Sequence, residues 1–277
     1  MTKLGVHIIN STDAAKRLAR LAPVVKGVTP TSIPALREAL PCATTIYRPW
    51  FSEETQRDIL AMRPFDGGRF VHETIERELD GLKVDYVELL NETAQRLGVG
   101  LERHMELVSE ATWRLHLDGY KVAGFSFSWG GMEYDDITEL AYNAWCGADA
   151  LAIHEYFAPK IGLGSSSLEM GLRYRDIIFP AADNAGKERP KLLITECGVG
   201  TLANPYAGWL GNLETDRYVG RLMGYANMIE ADPEVIGACV FTAGTRFEEP
   251  SVHNLWGGFD VDELDSKWLE AKCPEKS

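Results

Sequence analysis

The amino-acid sequence predicts an α/β fold: a single (β/α)₈ (TIM) barrel, residues 1–277 forming one domain. Three observations predict it. Short runs rich in Val, Ile, Leu, Tyr and Phe alternate along the chain with longer amphipathic stretches. Eight such strand–helix units follow one another with no linker between them, and 277 residues suits one closed barrel of about 250. Strands separated by helices pair in parallel, because a parallel return needs a crossover. The competing architecture is an open, doubly wound sheet, which usually carries a Gly-rich turn after its first strand. Here that turn reads Ile9-Asn10-Ser11-Thr12-Asp13, without glycine.

The elements follow in order. Leu4–Ile9 reads as the first strand, and Asp13–Leu21 as a helix behind the Ser11-Thr12 cap signal. Val24–Val28 leads to a helix over Ile33–Leu40 beyond Pro30. Thr44–Trp50 leads to Phe70–Leu79, which starts after an apparent turn at Asp66-Gly67-Gly68. Asp85–Glu92 is followed by the long periodic helix Leu101–Leu117, and Tyr120–Ser128 by Asp135–Trp145. Ala150–Phe157 precedes Leu168–Ile178, Lys191–Cys197 precedes Glu214–Glu230, and Gly237–Ala243 precedes Asp262–Ala271. The least regular segments, Gly162–Ser167, Gly198–Asn212 and Thr245–Phe259, follow strands six, seven and eight. A barrel places such loops on its catalytic face.

Composition excludes several classes. Hydrophobic residues make up 45% and charged residues 25%, the mix of a globular domain rather than a disordered or fibrous one. Lys+Arg 28 against Asp+Glu 41 leaves a net charge of −13, which repels phosphate backbones and anionic lipid surfaces. Nucleic acid and membranes are therefore not expected partners. No run approaches a transmembrane length. The N-terminal residues lack an apolar signal region, so the chain as it stands reads as cytoplasmic, or as secreted if a leader preceded it. The five cysteines are odd in number and widely spaced, without a C-x-x-C; buried reduced thiols are the expectation. There is no metal-binding H-E-x-x-H, no G-x-S-x-G elbow and no phosphate-binding P-loop, so neither a metal nor a cofactor is expected.

Barrel chemistry is written at the C-terminal ends of strands. Strand three ends Tyr47-Arg48-Pro49-Trp50, and strand four ends Glu88-Leu89-Leu90-Asn91-Glu92. Strand six carries His154-Glu155-Tyr156, and strand seven ends Thr195-Glu196-Cys197-Gly198. Glu92 and Glu196 thus close strands on opposite sides of the expected mouth. Two converging carboxylates suit cleavage of an acetal: one protonates the leaving oxygen, and the other attacks the anomeric carbon or activates water. Each residue also has a plainer reading. Glu92 can serve as a helix N-terminal acid, Glu196 as a carboxylate held by loop amides, and Arg48, His154 and Tyr156 as interior pairing or packing groups. Glu88 inside a barrel requires a basic or polar partner.

These segments resemble the retaining (β/α)₈ glycosidases of glycoside hydrolase clan A. Tyr86-Val87-Glu88-Leu89-Leu90-Asn91-Glu92 is similar to the clan's Asn-Glu motif on strand four. Leu193-Ile194-Thr195-Glu196-Cys197-Gly198 is similar to its strand-seven segment, and Arg48 and His154-x-Tyr156 fall at recurring clan positions. The resemblance implies that Glu92 is the general acid/base and Glu196 the nucleophile. It also implies that Asn91 binds the hydroxyl beside the anomeric centre, that Tyr156 steadies Glu196, and that Arg48 keeps Glu196 ionised. The expected substrate is a β-linked oligo- or polysaccharide, cut in endo fashion by double displacement. The clan's strand-eight Trp is missing; Phe241-Thr242 stands there, and Trp256 is the nearest Trp.

Of the seven tryptophans, Trp129 and Trp256 lie at or beyond strand ends and are the expected sugar-stacking platforms, with Trp209 a further candidate. Trp113, Trp145 and Trp268 fall on expected helices and read as packing. Two rivals remain. One is a non-catalytic carbohydrate-binding barrel, which both retained carboxylates argue against. The other is a lyase or aldolase, which needs a lysine at a strand's C-terminal end; Lys121 and Lys191 stand at strand beginnings.

Overall fold

The computed structural model describes residues 2–92, 100–128, 134–157, 171–199 and 215–243. Its strands are β1 (Leu4–Ile8), β2 (Val24–Val28), β3 (Thr44–Arg48), β4 (Tyr86–Glu88), β5 (Lys121–Phe127), β6 (Ala150–Phe157), β7 (Leu192–Val199) and β8 (Val235–Ala243). They form a closed barrel in sequence order, with β8 returning to β1. This is the expected fold, and seven strands keep bounds within two residues of those read from the sequence; the strand expected over Asp85–Glu92 is shorter, covering only Tyr86–Glu88, so Glu92 does not close it. The expected last helix over 262–271 lies outside the described residues, as do the irregular segments after strands six to eight, apart from Gly198 and Val199.

By internal packing the chain divides into two compact parts. The first is drawn from 1–45, 155–171 and 194–277. Here β1 pairs in parallel with β2, with His7 opposite Lys26, and also with β8, with Val6 opposite Val240. All residues of β1 and β2 are buried. The helix Asp13–Ala19 starts where the cap signal placed it: the Thr12 hydroxyl accepts from the Ala15 amide at 3.1 Å. It buries Ala15, Leu18 and Ala19. The stretch after Pro30 is a 3₁₀ turn, Pro30–Ser32, then a short helix, Ile33–Leu36, half the expected length.

The second part is drawn from 46–154 and 172–193. Here β3, β4, β5 and β6 pair successively in parallel. Two helices depart from expectation. Glu53–Ala61 forms a helix with Ser52 as its cap, its hydroxyl accepting from Thr55 at 3.1 Å. Its buried face is narrow, only Gln56, Ile59 and Leu60, so the apolar period is weak. The helix Pro64–Leu79 runs straight through Gly67-Gly68, which is no turn. A Cβ on Gly68 would stand 2.6 Å from Glu110 Cγ and 3.0 Å from the Ala111 amide. The glycine pair therefore serves close packing, its partner being the helix Leu101–Leu117. Further on, the described part of the expected helix 168–178 is mainly a 3₁₀ turn, Arg173–Arg175, behind Leu172 at φ 66°, and the α-helix runs over Ile178–Asn184 instead.

The thiols divide. Cys146, Cys197 and Cys239 are free and buried, as expected. Cys42 is exposed and disulfide-bonded, which corrects the expectation of reduced thiols throughout.

One buried group sets a pH limit on the fold. His104, on Leu101–Leu117, is fully buried edge-on to Phe125, with centroids 5.1 Å apart. Burial lowers its pKa from 6.5 to about 4. Between those values the unfolded chain binds a proton that the folded chain refuses. Stability is therefore full above pH 6.5 and falls as pH drops toward 4, by about 3 kcal/mol from this residue. Urea unfolding at pH 7 and pH 4.5 should show that drop in the wild type and a smaller one in His104→Leu.

Candidate active site

Two clusters of polar side chains sit where β-strands end or cross the barrel interior, one in each compact part. In the second part, Glu88 is the hub. It ends β4 and is 0% exposed. Arg48, the last residue of the neighbouring β3, places Nη1 3.3 Å from Glu88 Oε1. The Ser126 hydroxyl donates to the same oxygen. Glu88 thus has the basic and polar partners a buried carboxylate requires. Arg48 also donates to Asn91 Oδ1. That contact fixes the amide's orientation, because a guanidinium can only donate. The backbone N–H of Asn91 donates to Gln56 Oε1 at 2.8 Å.

Glu92 lies beyond the end of β4, partly exposed. Its Oε1 is 2.7 Å from His154 Nδ1, and His154 Nε2 lies 3.7 Å from Glu88 Oε1. One buried imidazole therefore stands between two carboxylates. The backbone around them is unusual. Glu92 has φ 51°, and its amide donates to the Ser126 carbonyl at 3.1 Å. Phe125 and Ser126 have φ 79° and 41°, where β5 slips register against β6 between Gly124 and Phe127. Such conformations cost roughly 1–2 kcal/mol per non-glycine residue. Three of them around one carboxylate are an observed outlier of the kind that marks functional sites.

In the first part, Glu196 on β7 is the centre. Its Oε1 lies 3.5 Å from Lys26 Nζ and 3.7 Å from His7 Nε2, and Tyr156 donates its hydroxyl to Oε2 at 3.0 Å. Phe241, on β8, contacts both His7 and Tyr156, with ring centroids 4.8 and 6.4 Å away, and the Phe241–Thr242 peptide is cis. Alternation along the strands sends the intervening residues the other way. Glu155 accepts a hydrogen bond from Tyr225 on the helix Thr215–Glu230. Cys197 is fully buried, and that burial, reinforced by Cys239, Glu155 and Glu196, pushes its thiol well above the ordinary range. A thiol held protonated is a poor nucleophile.

The expected site residues distribute as follows. Asn91, Glu92, Arg48 and His154 fall in one cluster, and Tyr156 and Glu196 in the other. The sequence reading gave Arg48 to Glu196. The structure gives Arg48 an ion pair with Glu88 and gives Glu196 a cation of its own, Lys26. Lys26, His7, Glu88's role as hub, Ser126 and Phe241 were missed. The signal was there: a lysine in Val24-Val25-Lys26-Gly27-Val28 and a histidine in Leu4-Gly5-Val6-His7-Ile8 interrupt otherwise apolar strands. Trp129, Trp209, Trp256 and Trp268 lie outside the described residues. Trp145 is buried as expected, whereas Trp113 is 56% exposed beneath the Arg114 guanidinium. Among the described residues no group of His, Cys, Asp and Glu could hold a metal ion, and no helix is long and apolar enough to cross a membrane.

No family model matches the chain, and no curated protein matches it in sequence. Solved structures do match in fold. A GH128 (subgroup VI) exo-β-1,3-glucanase from Aureobasidium namibiae aligns with TM-score 0.57 at 11% identity, over 98% of both chains. A GH128 (subgroup II) endo-β-1,3-glucanase from Pseudomonas viridiflava aligns with TM-score 0.52 at 14% identity, over 92% of this chain and 90% of that one. An endo-β-1,4-glucanase from Xanthomonas axonopodis pv. citri aligns with TM-score 0.54 at 12% identity, over 90% and 91%. The chain has the closed (β/α)₈ fold that these glycoside hydrolase structures share.

Proposed function

We propose that the protein is a retaining glycoside hydrolase that cleaves β-linked oligo- or polysaccharides, with Glu92 as general acid/base and Glu196 as nucleophile. The observation that carries the reading is the different partnership of the two glutamates. Glu196 faces an ammonium and a phenol donor, both of which favour its anion, the form that attacks. Glu92 is partly exposed and bonded to an imidazole nitrogen, a setting suited to passing a proton to and fro. In the first step the Glu196 carboxylate bonds to the anomeric carbon while the Glu92 proton moves to the departing oxygen. In the second, water attacks that carbon, gives its proton to Glu92, and returns the electron pair to Glu196. Asn91, its Oδ1 engaged by Arg48, offers its amide donors to a sugar hydroxyl. The shared fold of β-1,3- and β-1,4-glucanases supports a β-glucan as the first substrate to try. Endo action is our reading from the long segments after strands six to eight.

The lyase rival lacks support. Lys121 opens β5 and Lys191 precedes β7, both exposed, and Lys26 sits within β2 hydrogen-bonded to a carboxylate. The disulfide at Cys42 favours an oxidising compartment, and hence secretion, over the cytoplasm. The test is turnover on a panel of β-1,3- and β-1,4-glucans and aryl β-glycosides, with proton NMR of the first-formed anomer. Release of the β-anomer is expected. The α-anomer would overturn retention, and no turnover on any β-linked substrate would favour the carbohydrate-binding rival.

A further inference from the structure

Glu196 lies against two basic residues that face each other across one strand pairing. His7 and Lys26 are register partners on β1 and β2, so their side chains leave the same face of the sheet. Both are buried, with Lys26 0% exposed, and both reach Glu196 Oε1. The tautomer of His7 can be read from its neighbour. The Thr242 hydroxyl has one proton and gives it to the His7 carbonyl at 3.0 Å. At the contact with His7 Nδ1, 3.1 Å away, Thr242 must therefore accept, and Nδ1 carries a hydrogen. The other nitrogen, Nε2, is the one turned to Glu196. Among the described residues, further titratable groups near Glu196 include Tyr156 on β6, which donates to Oε2, and Cys197, whose buried thiol Glu155 and Cys239 also affect.

We propose that Lys26 is the positioning residue that sets the charge of the nucleophile, and that its main kinetic effect falls on breakdown of the glycosyl-enzyme. The inference rests on Glu196 being that nucleophile. The argument follows the charge through the cycle. Before attack, Glu196 is an anion and Lys26 its counterion. In the glycosyl ester the anion is gone and Lys26 faces a neutral group. When water attacks, the bond from the anomeric carbon to the Glu196 oxygen breaks and the carboxylate charge returns beside Lys26. The ammonium thus stabilises the departing carboxylate, which favours the second step. It stabilises the free carboxylate equally before attack, which keeps Glu196 ionised at lower pH.

Three variants test this. Removal of a neighbouring opposite charge raises a carboxyl pKa by about one to three pH units. Lys26→Met should therefore move the acidic limb of the kcat/KM profile up by about that much. On a 2,4-dinitrophenyl β-glycoside that the wild type hydrolyses, kcat and KM should fall together, with a burst near one equivalent of phenol, because the ester accumulates. Lys26→Arg, which restores the charge, should return the acidic limb to its wild-type place. If Lys26→Met does not fold, Lys26→Gln is read instead, since it keeps a donor without the charge. An unmoved acidic limb with no burst in the uncharged variant would overturn the proposal, as would failure of Lys26→Arg to restore the limb. Wild-type enzyme treated with a 2-deoxy-2-fluoro β-glycoside separates this from the functional reading. Label on Glu196 with an unmoved limb defeats the role of Lys26 alone, whereas label on another residue defeats the assignment of Glu196.

Discussion

Glu92→Ala and Glu196→Ala should lose activity in different ways. On a substrate with a poor leaving group, removal of the acid/base should slow turnover by about 10²–10⁴-fold. On an activated aryl glycoside the same variant should keep a fast first step, because a good leaving group departs without protonation. Azide should rescue its turnover and yield a β-glycosyl azide, since a small anion attacks the intermediate without help from a base. Glu196→Ala should be slower by on the order of 10⁵–10⁶-fold on either substrate, because no covalent intermediate can form. Azide rescue there should give the inverted α-azide, the anion taking the place of the missing carboxylate. Product configuration by NMR reads the result. The opposite pattern would exchange the two roles, and two variants as active as the wild type would remove both residues from the reaction. The geometry to be measured alongside is the separation of the two carboxyl groups, which retention requires to be about 5–5.5 Å.

Arg48→Ala should destabilise the fold by about 3–5 kcal/mol, since it leaves the Glu88 carboxylate buried beside its other partners without its ion pair. The double variant Arg48→Met/Glu88→Leu should recover most of that loss, because an apolar pair of similar volume does not have to be desolvated. Urea unfolding of wild type, Arg48→Met, Glu88→Leu and the double variant closes the cycle. Additive losses would show that the two side chains do not act as a pair. The recovered double variant should still be a poor enzyme, because Asn91 would lose the Arg48 donor that orients its amide.

The barrel was legible because its signals are local and repeated. Each strand is a compact apolar run, and the helix Leu101–Leu117 keeps its period throughout. Gly67-Gly68 misled because glycine serves two purposes, turning a chain and letting two helices approach, and only the facing helix reveals which one applies. Glu92 and Glu196 could be picked out because each follows an apolar run, where a carboxylate is costly unless it is used or paired. Their partners were harder. A sequence shows that Lys26 and His7 interrupt apolar strands, but the register that sets them side by side arises only when β1 pairs with β2. The exchange of Arg48 for Lys26 beside Glu196 has the same cause. Arg48 lies one strand from Glu88, and an arginine pairs with the buried acid its neighbouring strand presents.

The left-handed backbone of Glu92 has an evolutionary consequence. At φ 51° a glycine would sit without the steric penalty that a side chain carries. The proposed acid/base therefore occupies a position where its own replacement by the smallest residue relieves the chain. Selection for heat resistance alone, run on a random library without an activity screen, would drift toward loss of Glu92. On the proposed assignment, the persistence of a glutamate at that position in a lineage of this barrel would record selection for turnover against the preference of the backbone.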